Sequence, residues 1–165
     1  MSILKRLALF VLISLISFSS YCQKKTDTAI AVHYQTEDFD VAIFPASFNY
    51  QHGMIKENRR FTPSKQDIDK AENSLKNNLK DFTLHYREDS TLYKNLNGYK
   101  RQYLGYIDSN EHRILYINNF GKQSEDSSTW LIEILFIWDQ GTNYWRINYD
   151  LNSGKFFALQ DAGTE

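Results

Sequence analysis

The stretch from Trp130 to Leu159 constrains the fold most strongly, because it is the densest apolar and aromatic run beyond the N-terminal region. It divides into three strand-length blocks, separated by the turns Asp139-Gln140-Gly141 and Asn152-Ser153-Gly154. Ile, Phe, Tyr and Trp favour strands, whereas Asn and Gly tolerate the positive φ angles of tight turns. The pattern predicts three consecutive strands of an antiparallel meander.

Length and charge limit the class of protein. A chain of 165 residues, 42% hydrophobic, with two prolines and seven glycines, suits one core, so we expect a single domain over residues 28–165. The formal charge is −1, and removal of Lys5 and Arg6 leaves 17 basic against 20 acidic residues, or −3. This balance gives no electrostatic basis for binding nucleic acid or an anionic membrane.

Residues 1–22 have the anatomy of a secretory signal peptide. Lys5 and Arg6 precede an apolar core from Leu7 to Phe18, which small residues follow. That core is about a dozen residues long, whereas a spanning helix needs roughly 20. We therefore expect removal of this segment, a short polar tether at residues 23–27, no membrane-spanning segment, and a periplasmic or extracellular location.

Cys22 is the only cysteine and permits two outcomes of processing. In the first, Ser20 and Cys22 are the small residues at −3 and −1, and cleavage falls before Gln23. In the second, Cys22 becomes the lipidated first residue of a lipoprotein, although Tyr21 then stands where a small residue is normal. In both cases a single thiol cannot form an intrachain disulfide or a CxxC redox site.

One helix is expected from Thr62 to about Phe82. Thr62 and Pro63 have the residue types of a helix cap and a first helical position. The apolar residues that follow recur at intervals of three and four and form one stripe: Ile68, Ala71, Leu75, Leu79 and Phe82. Four lysines lie mostly off that stripe, at positions 65, 70, 76 and 80, and indicate a solvated outer face.

The remaining patterns predict further strands around this helix. Alternation suggests two short strands between Ala29 and Tyr50, the second ended or placed at an edge by Pro45. After the turn at Asn97-Gly98, YKRQYLGYID and RILYINNF form a hairpin whose loop is Ser109 to His112. The expected fold is α+β, with one long helix packed on a curved antiparallel sheet of about five strands, plus short N-terminal strands.

Several of these motifs together carry a resemblance. FTPSKQDIDKAE, YKRQYLGYID followed by ILYIN, and the closing strand, turn and strand resemble a group of small exported bacterial proteins of uncharacterised function. The resemblance covers roughly Phe48 to Gly163 and implies a secreted single domain, but no activity. The helix followed by a meander is also similar to the cystatin-like and nuclear-transport-factor-like folds, an analogy that does not carry function.

The sequence shows no catalytic or metal-binding constellation. His33, His52, His85 and His112 form neither an i, i+4 pair nor a tight cluster. We find no G-x-S-x-G, glycine-rich phosphate loop or calcium loop, so no catalytic residue, metal site or cofactor is predicted. Asp139 could act as a general acid or base at a strand end, but a turn aspartate that bonds to its own backbone is favoured. Asp150 has the same turn explanation.

A candidate binding face comes from the alternation in NYWRINYDL. Trp145, Ile147, Tyr149 and Leu151 fall on one side and have the character of core residues. The other side carries polar side chains that suit a ligand or a protein interface: Tyr144, Arg146, Asn148 and Asp150.

Two classes of function follow. The preferred one is an exported, non-catalytic module that binds an envelope protein or peptide through its sheet face. The alternative is a small enzyme or small-ligand carrier with a pocket between helix and sheet. A deep polar cavity with two close titratable groups would favour the alternative, and a filled helix–sheet interface would favour the binding module.

The predicted strand from Leu131 to Trp138 adds a further expectation. Apart from Glu133, both of its faces are apolar, and one helix can cover only one face of a sheet. The second face therefore needs a cover. The segment from Ile30 to Phe48 is the first choice because it carries Val32, Val41, Ile43, Phe44 and Phe48, a homodimer is the second, and a partner is the third.

Overall fold

The computed structural model describes residues 30–50, 55, 59–86, 90–123, 129–137 and 141–161. The predicted signal peptide, the tether, His52 and Asp139 lie outside these residues. Within these residues there are one long helix and seven strands: β1 (Val32–Gln35), β2 (Asp40–Ile43), β3 (Arg60–Phe61), α1 (Lys65–Tyr86), β4 (Tyr99–Ile107), β5 (Arg113–Gly121), β6 (Tyr144–Asp150) and β7 (Lys155–Asp161). Two 3₁₀ segments, Leu92–Gly98 and Gly141–Asn143, precede β4 and β6.

The strands form one mixed sheet, so the predicted α+β class is confirmed. The order is β1-β2-β4-β5-β6-β7, and β3 pairs with β4 beyond the end of β2. The β2–β4 pair is parallel, and the other pairs are antiparallel. Two parallel strands need a long crossover connection between them. Helix α1 lies in the connection between β2 and β4. The sheet therefore contains a parallel step that the predicted antiparallel meander lacked.

The helix begins at Lys65, so the start predicted at Thr62 was early. Ser64 and Asp67 form a capping box, in which the Asp67 N–H donates to Ser64 Oγ at 3.2 Å and the Ser64 N–H donates to Asp67 Oδ2 at 2.9 Å. Thr62 instead accepts a hydrogen bond from the Ala46 N–H at 2.9 Å. The helix runs on to Tyr86, beyond the predicted end at Phe82.

The apolar stripe of the helix packs on the sheet as predicted. Ile68, Ala71, Leu75 and Leu79 are at most 1% exposed, and Phe82 packs against the same cluster. The sheet contributes side chains from β2, β4, β5 and β6, among them Val41, Ile43, Tyr103, Leu115, Ile117, Trp145, Ile147 and Tyr149. The four helix lysines are exposed, which confirms the solvated face. No helix in the described part of the chain is long and apolar enough to cross a membrane.

The strand predicted from Leu131 to Trp138 was wrong wherever the structure describes it. Residues 129–133 form turns and bends, and residues 134–137 are irregular. The Leu131 carbonyl accepts hydrogen bonds from the Ile30 and Ala31 N–H groups, at 2.9 and 2.8 Å, and other backbone groups of the segment bond with side chains on the sheet face. Gln102 donates to the carbonyls of Trp130 and Glu133, both at 2.7 Å, and its Oε1 accepts from the Leu135 N–H at 2.9 Å. The apolar content of the segment reflects this docking.

The second face of the sheet is covered, although by a different arrangement from the one expected. Residues 130–137 contribute Trp130, Ile134 and Leu135, and the N-terminal segment contributes Phe44 with Phe48. Val32 is 57% exposed, and Val41 and Ile43 point to the helix side because they alternate with Ala42 and Phe44. Two segments of the same chain thus pack over this face.

Replacement of Gln102 by leucine should loosen this cover. The change leaves the Leu135 N–H and two carbonyls without their partner, at a cost of about 1–3 kcal/mol in the free energy of unfolding. The cost is limited because a detached segment can bond with water. Denaturant unfolding, together with binding of a hydrophobic dye, checks this result. Gln66→Leu, at an exposed helix position, is the control. A stability change below about 0.5 kcal/mol at Gln102 would contradict the docking role.

Candidate functional site

A cleft of about 420 Å³ opens between the helix and the sheet. It is surrounded by the β1–β2 turn, the middle of α1, the 3₁₀ segment Leu92–Gly98 and the start of β4. Its lining residues are Asp38, Phe39, Asp69, Glu72, Asn73, Lys76, Leu96, Asn97 and Arg101. The volume lies within the range of small-molecule sites. The lining is mainly polar, with Phe39 and Leu96 as its apolar part.

Glu72 and Arg101 form the floor of this cleft and are nearly closed to solvent. The Tyr103 hydroxyl donates to Glu72 Oε1 at 2.7 Å, and Arg101 Nη1 lies 3.4 Å from Glu72 Oε2. Helical periodicity places Glu72 beside Ala71 and Leu75 on the sheet side, and strand alternation puts Arg101 and Tyr103 on the helix side of β4. A buried ion pair with a tyrosine donor therefore links the two layers.

Burial sets the protonation behaviour of this floor. Loss of solvent raises the pKa of Glu72 above its usual value, and the negative charges of Asp38 and Asp69 add to that effect. The Arg101 charge and the Tyr103 hydrogen bond oppose the rise without cancelling it. Burial also raises the pKa of Tyr103 well above its ordinary range. Glu72 is therefore the ionisable group of the floor that most readily changes its charge.

Arg101 is incompletely satisfied by the protein. The side chain is 1% exposed, and its Nη2 donates to the Leu96 carbonyl at 2.7 Å. Its Nε and Nη1 are buried and form no hydrogen bond with any residue that the structure describes. A buried donor left without an acceptor costs about 1–3 kcal/mol. Two such donors lie just beneath a cleft that could admit an acceptor.

The rim of the cleft presents accessible charges and amides. Asp38 Oδ2 lies 3.7 Å from Lys76 Nζ, and both side chains are about two-thirds or more exposed, so the pair contributes little to stability. Asp69 accepts a hydrogen bond from the Tyr34 hydroxyl at 2.9 Å. Asn73 and Asn97 are exposed. These groups can contact a bound molecule without disturbing the core.

A second groove, of about 610 Å³, lies along the helix near Lys70 and Arg113. Its charged groups are engaged with one another. The Arg113 guanidinium makes two hydrogen bonds to the Asp67 carboxylate, at 2.8 and 3.2 Å, and Lys70 donates to the Leu151 carbonyl at 2.5 Å. The cleft above Glu72 is the better candidate site, because its rim charges are less firmly paired.

The four residues of the predicted binding face lie on β6 opposite the helix. Tyr144 is 6% exposed, and its hydroxyl donates to the Leu135 carbonyl at 3.2 Å. Arg146 and Asn148 are half-buried, and Arg146 Nε donates to Gln160 Oε1 at 2.6 Å. Asp150 is buried at the end of the strand. The core half of the same alternation, which includes Trp145 and Ile147, packs under the helix as predicted.

Asp150 fulfils the turn role. It accepts hydrogen bonds from the Ser153 hydroxyl at 2.7 Å and from the Asn152 N–H at 2.7 Å, and it contacts His112 Nδ1 at 2.9 Å. Burial opposes ionisation, but these bonds prevail and lower the pKa of Asp150 to about 2. The carboxylate therefore stabilises the hairpin between β6 and β7.

The histidines that the structure describes do not assemble into a metal centre. His33 Nε2 contacts Asp40 Oδ1 at 2.6 Å, and His112 pairs with Asp150. Among the residues that the structure describes, no group of three or more His, Cys, Asp or Glu side chains is arranged to hold a metal ion.

Sequence reasoning missed Glu72 and Arg101, although a signal was present. Glu72 adjoins the apolar stripe of the helix, and Arg101 alternates with Tyr99 and Tyr103 along β4. A charged residue at a core position of a periodic pattern is almost never fully buried unless it is paired. Glu72 on the helix and Arg101 on β4 are charged residues of opposite sign at such core positions, so the sequence pattern could have predicted that they pair.

Comparison of the chain with protein-family models, with curated proteins and with solved structures found no match.

Proposed function

We propose that the protein is a small-ligand-binding module that uses the cleft between α1 and β4. The observation that carries this proposal is the juxtaposition of two ionisable groups, Glu72 and Arg101, beneath a polar cleft of about 420 Å³. A purely structural role would favour an apolar filling, since a buried ion pair often stabilises less than well-packed hydrophobic residues. A recognition role gives a reason for polar groups at this position.

Binding without catalysis fits the geometry better than an enzymatic role. Both oxygens of Glu72 are directed to Tyr103 and Arg101, so the carboxylate is already engaged and is not a free general base. The accessible groups of the cleft are instead amides and rim charges, which suit recognition.

Binding through the sheet face has less support. Of its four residues, Tyr144 and Asp150 already serve the docked segment and the β6–β7 hairpin, which leaves Arg146 and Asn148 as its half-buried part. We keep it as the second candidate, for an envelope protein or peptide as the partner.

Export belongs to the same proposal and rests on the N-terminal sequence. Basic residues, an apolar core and small residues occur there in the order of a signal peptide. A ligand-binding module of the bacterial envelope agrees with the resemblance to small exported proteins. The intact mass of the protein from its native host tests this, since retention of residues 1–22 would contradict export and a lipidated Cys22 would indicate a lipoprotein.

Blocking the cleft provides the test of ligand binding. Protein lacking residues 1–22 would be titrated with a library of small polar metabolites, and amide chemical shifts would locate each binding event. We expect shifts at Asn73, Leu96 and Asn97. Asn73→Trp should fill the cleft and weaken binding by about tenfold or more. Asn77→Trp, one turn further along the same helix face and outside the cleft, should leave binding unchanged.

Two results would contradict the proposal. Hits whose shifts cluster at Arg146 and Asn148 would favour the sheet face. Equal loss of binding in the Asn73 and Asn77 variants would show that the cleft is not the site.

A further inference from the structure

The charged groups that line the cleft have both signs. Asp38 and Asp69 on the rim are acidic, Lys76 is basic, and the floor pairs Glu72 with Arg101. A ligand with only negative charge would meet an excess of carboxylates, and a ligand with only positive charge would leave Lys76 and Arg101 unused. A molecule that carries both charges is complementary to both sets of groups.

Arg101 points to a carboxylate as one part of that molecule. Its Nε and Nη1 donors have no hydrogen-bond acceptor among the described residues, and a guanidinium binds a carboxylate with strong, charge-assisted hydrogen bonds. These donors lie beneath the surface, and Glu72 Oε2, 3.4 Å from Nη1, is the carboxylate oxygen beside Nη1 now. A ligand carboxylate would therefore reach Arg101 by taking the place of Glu72.

We infer that the cleft binds a small zwitterion, a molecule with a free ammonium group and a free carboxylate such as an amino acid or a short peptide. The inference rests on the proposed ligand-binding function. The ammonium group contacts the rim carboxylates Asp38 and Asp69, and the carboxylate exchanges with Glu72 at Arg101. The Phe39 and Leu96 side chains provide an apolar surface for the rest of the molecule.

Glu72 makes this exchange sensitive to pH. It faces Arg101 and Tyr103 from β4, Asp38 from the β1–β2 turn, and Asp69 and Lys76 on its own helix. Burial and the two aspartates favour its neutral form. Once a ligand carboxylate neutralises Arg101, Glu72 loses its cationic partner and takes up a proton from solvent. Binding should therefore consume a proton and become tighter as the pH falls.

The test uses protein without residues 1–22 and four sets of probes. These are the common L-amino acids, glycyl dipeptides, the N-acetyl and C-amide derivatives of both, and the non-zwitterions glucose, acetate and choline, each at up to about 10 mM. We expect at least one zwitterion to bind in the cleft and each blocked derivative to bind about tenfold more weakly or worse. Amino acids and dipeptides in separate arms distinguish the two sources of the zwitterion.

Three further measurements test the residues that the inference assigns to binding. Asp38→Asn should weaken binding of the zwitterion severalfold, because the ammonium group loses one of its rim carboxylates, whereas Asp81→Asn, at an exposed helix position outside the cleft, should not. Calorimetry in two buffers with different ionisation enthalpies should show proton uptake on binding to the native protein. Affinity should be higher at about pH 5.5 than at about pH 7.5.

The outcomes separate this inference from the proposed function. Binding of glucose, acetate or choline in the cleft, with no zwitterion bound, would overturn the inference and leave the ligand-binding function standing. A zwitterion that binds without proton uptake would overturn the exchange at Glu72. If no probe or metabolite binds in the cleft, both proposals fail.

Discussion

Replacement of Glu72 by leucine is expected to lower the free energy of unfolding by about 3–5 kcal/mol. The change leaves the Arg101 guanidinium buried without its carboxylate, and the Tyr103 hydroxyl loses its acceptor. Arginine cannot shed its proton in a folded protein, so the buried charge persists. Denaturant unfolding at neutral pH measures the loss.

The opposite replacement, Arg101→Leu, should cost less at acid pH than at neutral pH. The lone carboxyl of Glu72 can take up a proton and keep the hydrogen bond with Tyr103. Its folded-state pKa then lies further above the unfolded value, so its contribution to stability is present below the unfolded pKa and is lost as the pH rises through the folded pKa. We expect the deficit to shrink from about pH 7 to about pH 4.

The double variant completes the cycle. Glu72→Leu with Arg101→Leu removes both charges and should be more stable than Glu72→Leu alone, because residues in contact are not additive. Asp81→Leu, at an exposed position of the same helix, is the control and should change stability by about 0.5 kcal/mol or less. Equal and additive losses at Glu72 and Arg101 would show that the pair is not coupled.

Replacement of Leu75 by alanine should lower the free energy of unfolding by about 2–5 kcal/mol. Leu75 is 1% exposed in the helix–sheet core, so truncation removes buried methyl groups and leaves a cavity there. The change lies in one layer and involves no charge, which makes its effect independent of pH.

Asn77→Ala is the matched control for this variant. It lies two residues further along the same helix and is exposed, so stability should stay within about 0.5 kcal/mol. A comparable small change for Leu75→Ala in denaturant unfolding would contradict the packing of the stripe.

Local sequence patterns predicted the helices and strands that bury only one of their faces. The helix stripe from Ile68 to Leu79 and the alternation of Trp145 with Arg146 each fix which side faces the core, since helices and strands have fixed periods. The hairpin loop after β4 was also predictable. Asp108 accepts hydrogen bonds there from the N–H groups of Asn110 and His112, at 2.9 and 2.8 Å.

The segment at Leu131 to Ile137 shows where such patterns fail. A continuous apolar run fits a buried strand, yet here it is irregular chain docked on a sheet face. The difference depends on Gln102 and Asn118, which occupy β4 and β5 and bond with the backbone of the segment. Periodicity within the segment carries no information about these distant partners.

The sequence by itself determined the α+β class, the helix stripe, the two hairpins and the turn role of Asp150, because each depends on residues close together in the chain. Only the tertiary structure decided the parallel β2–β4 pair, the cover of the second sheet face and the cleft. Glu72 and Arg101 are 29 positions apart, and their pairing follows from the way the helix lies across β4. Solvent exclusion and charge proximity arise between layers, so the candidate site exists only once the layers have packed.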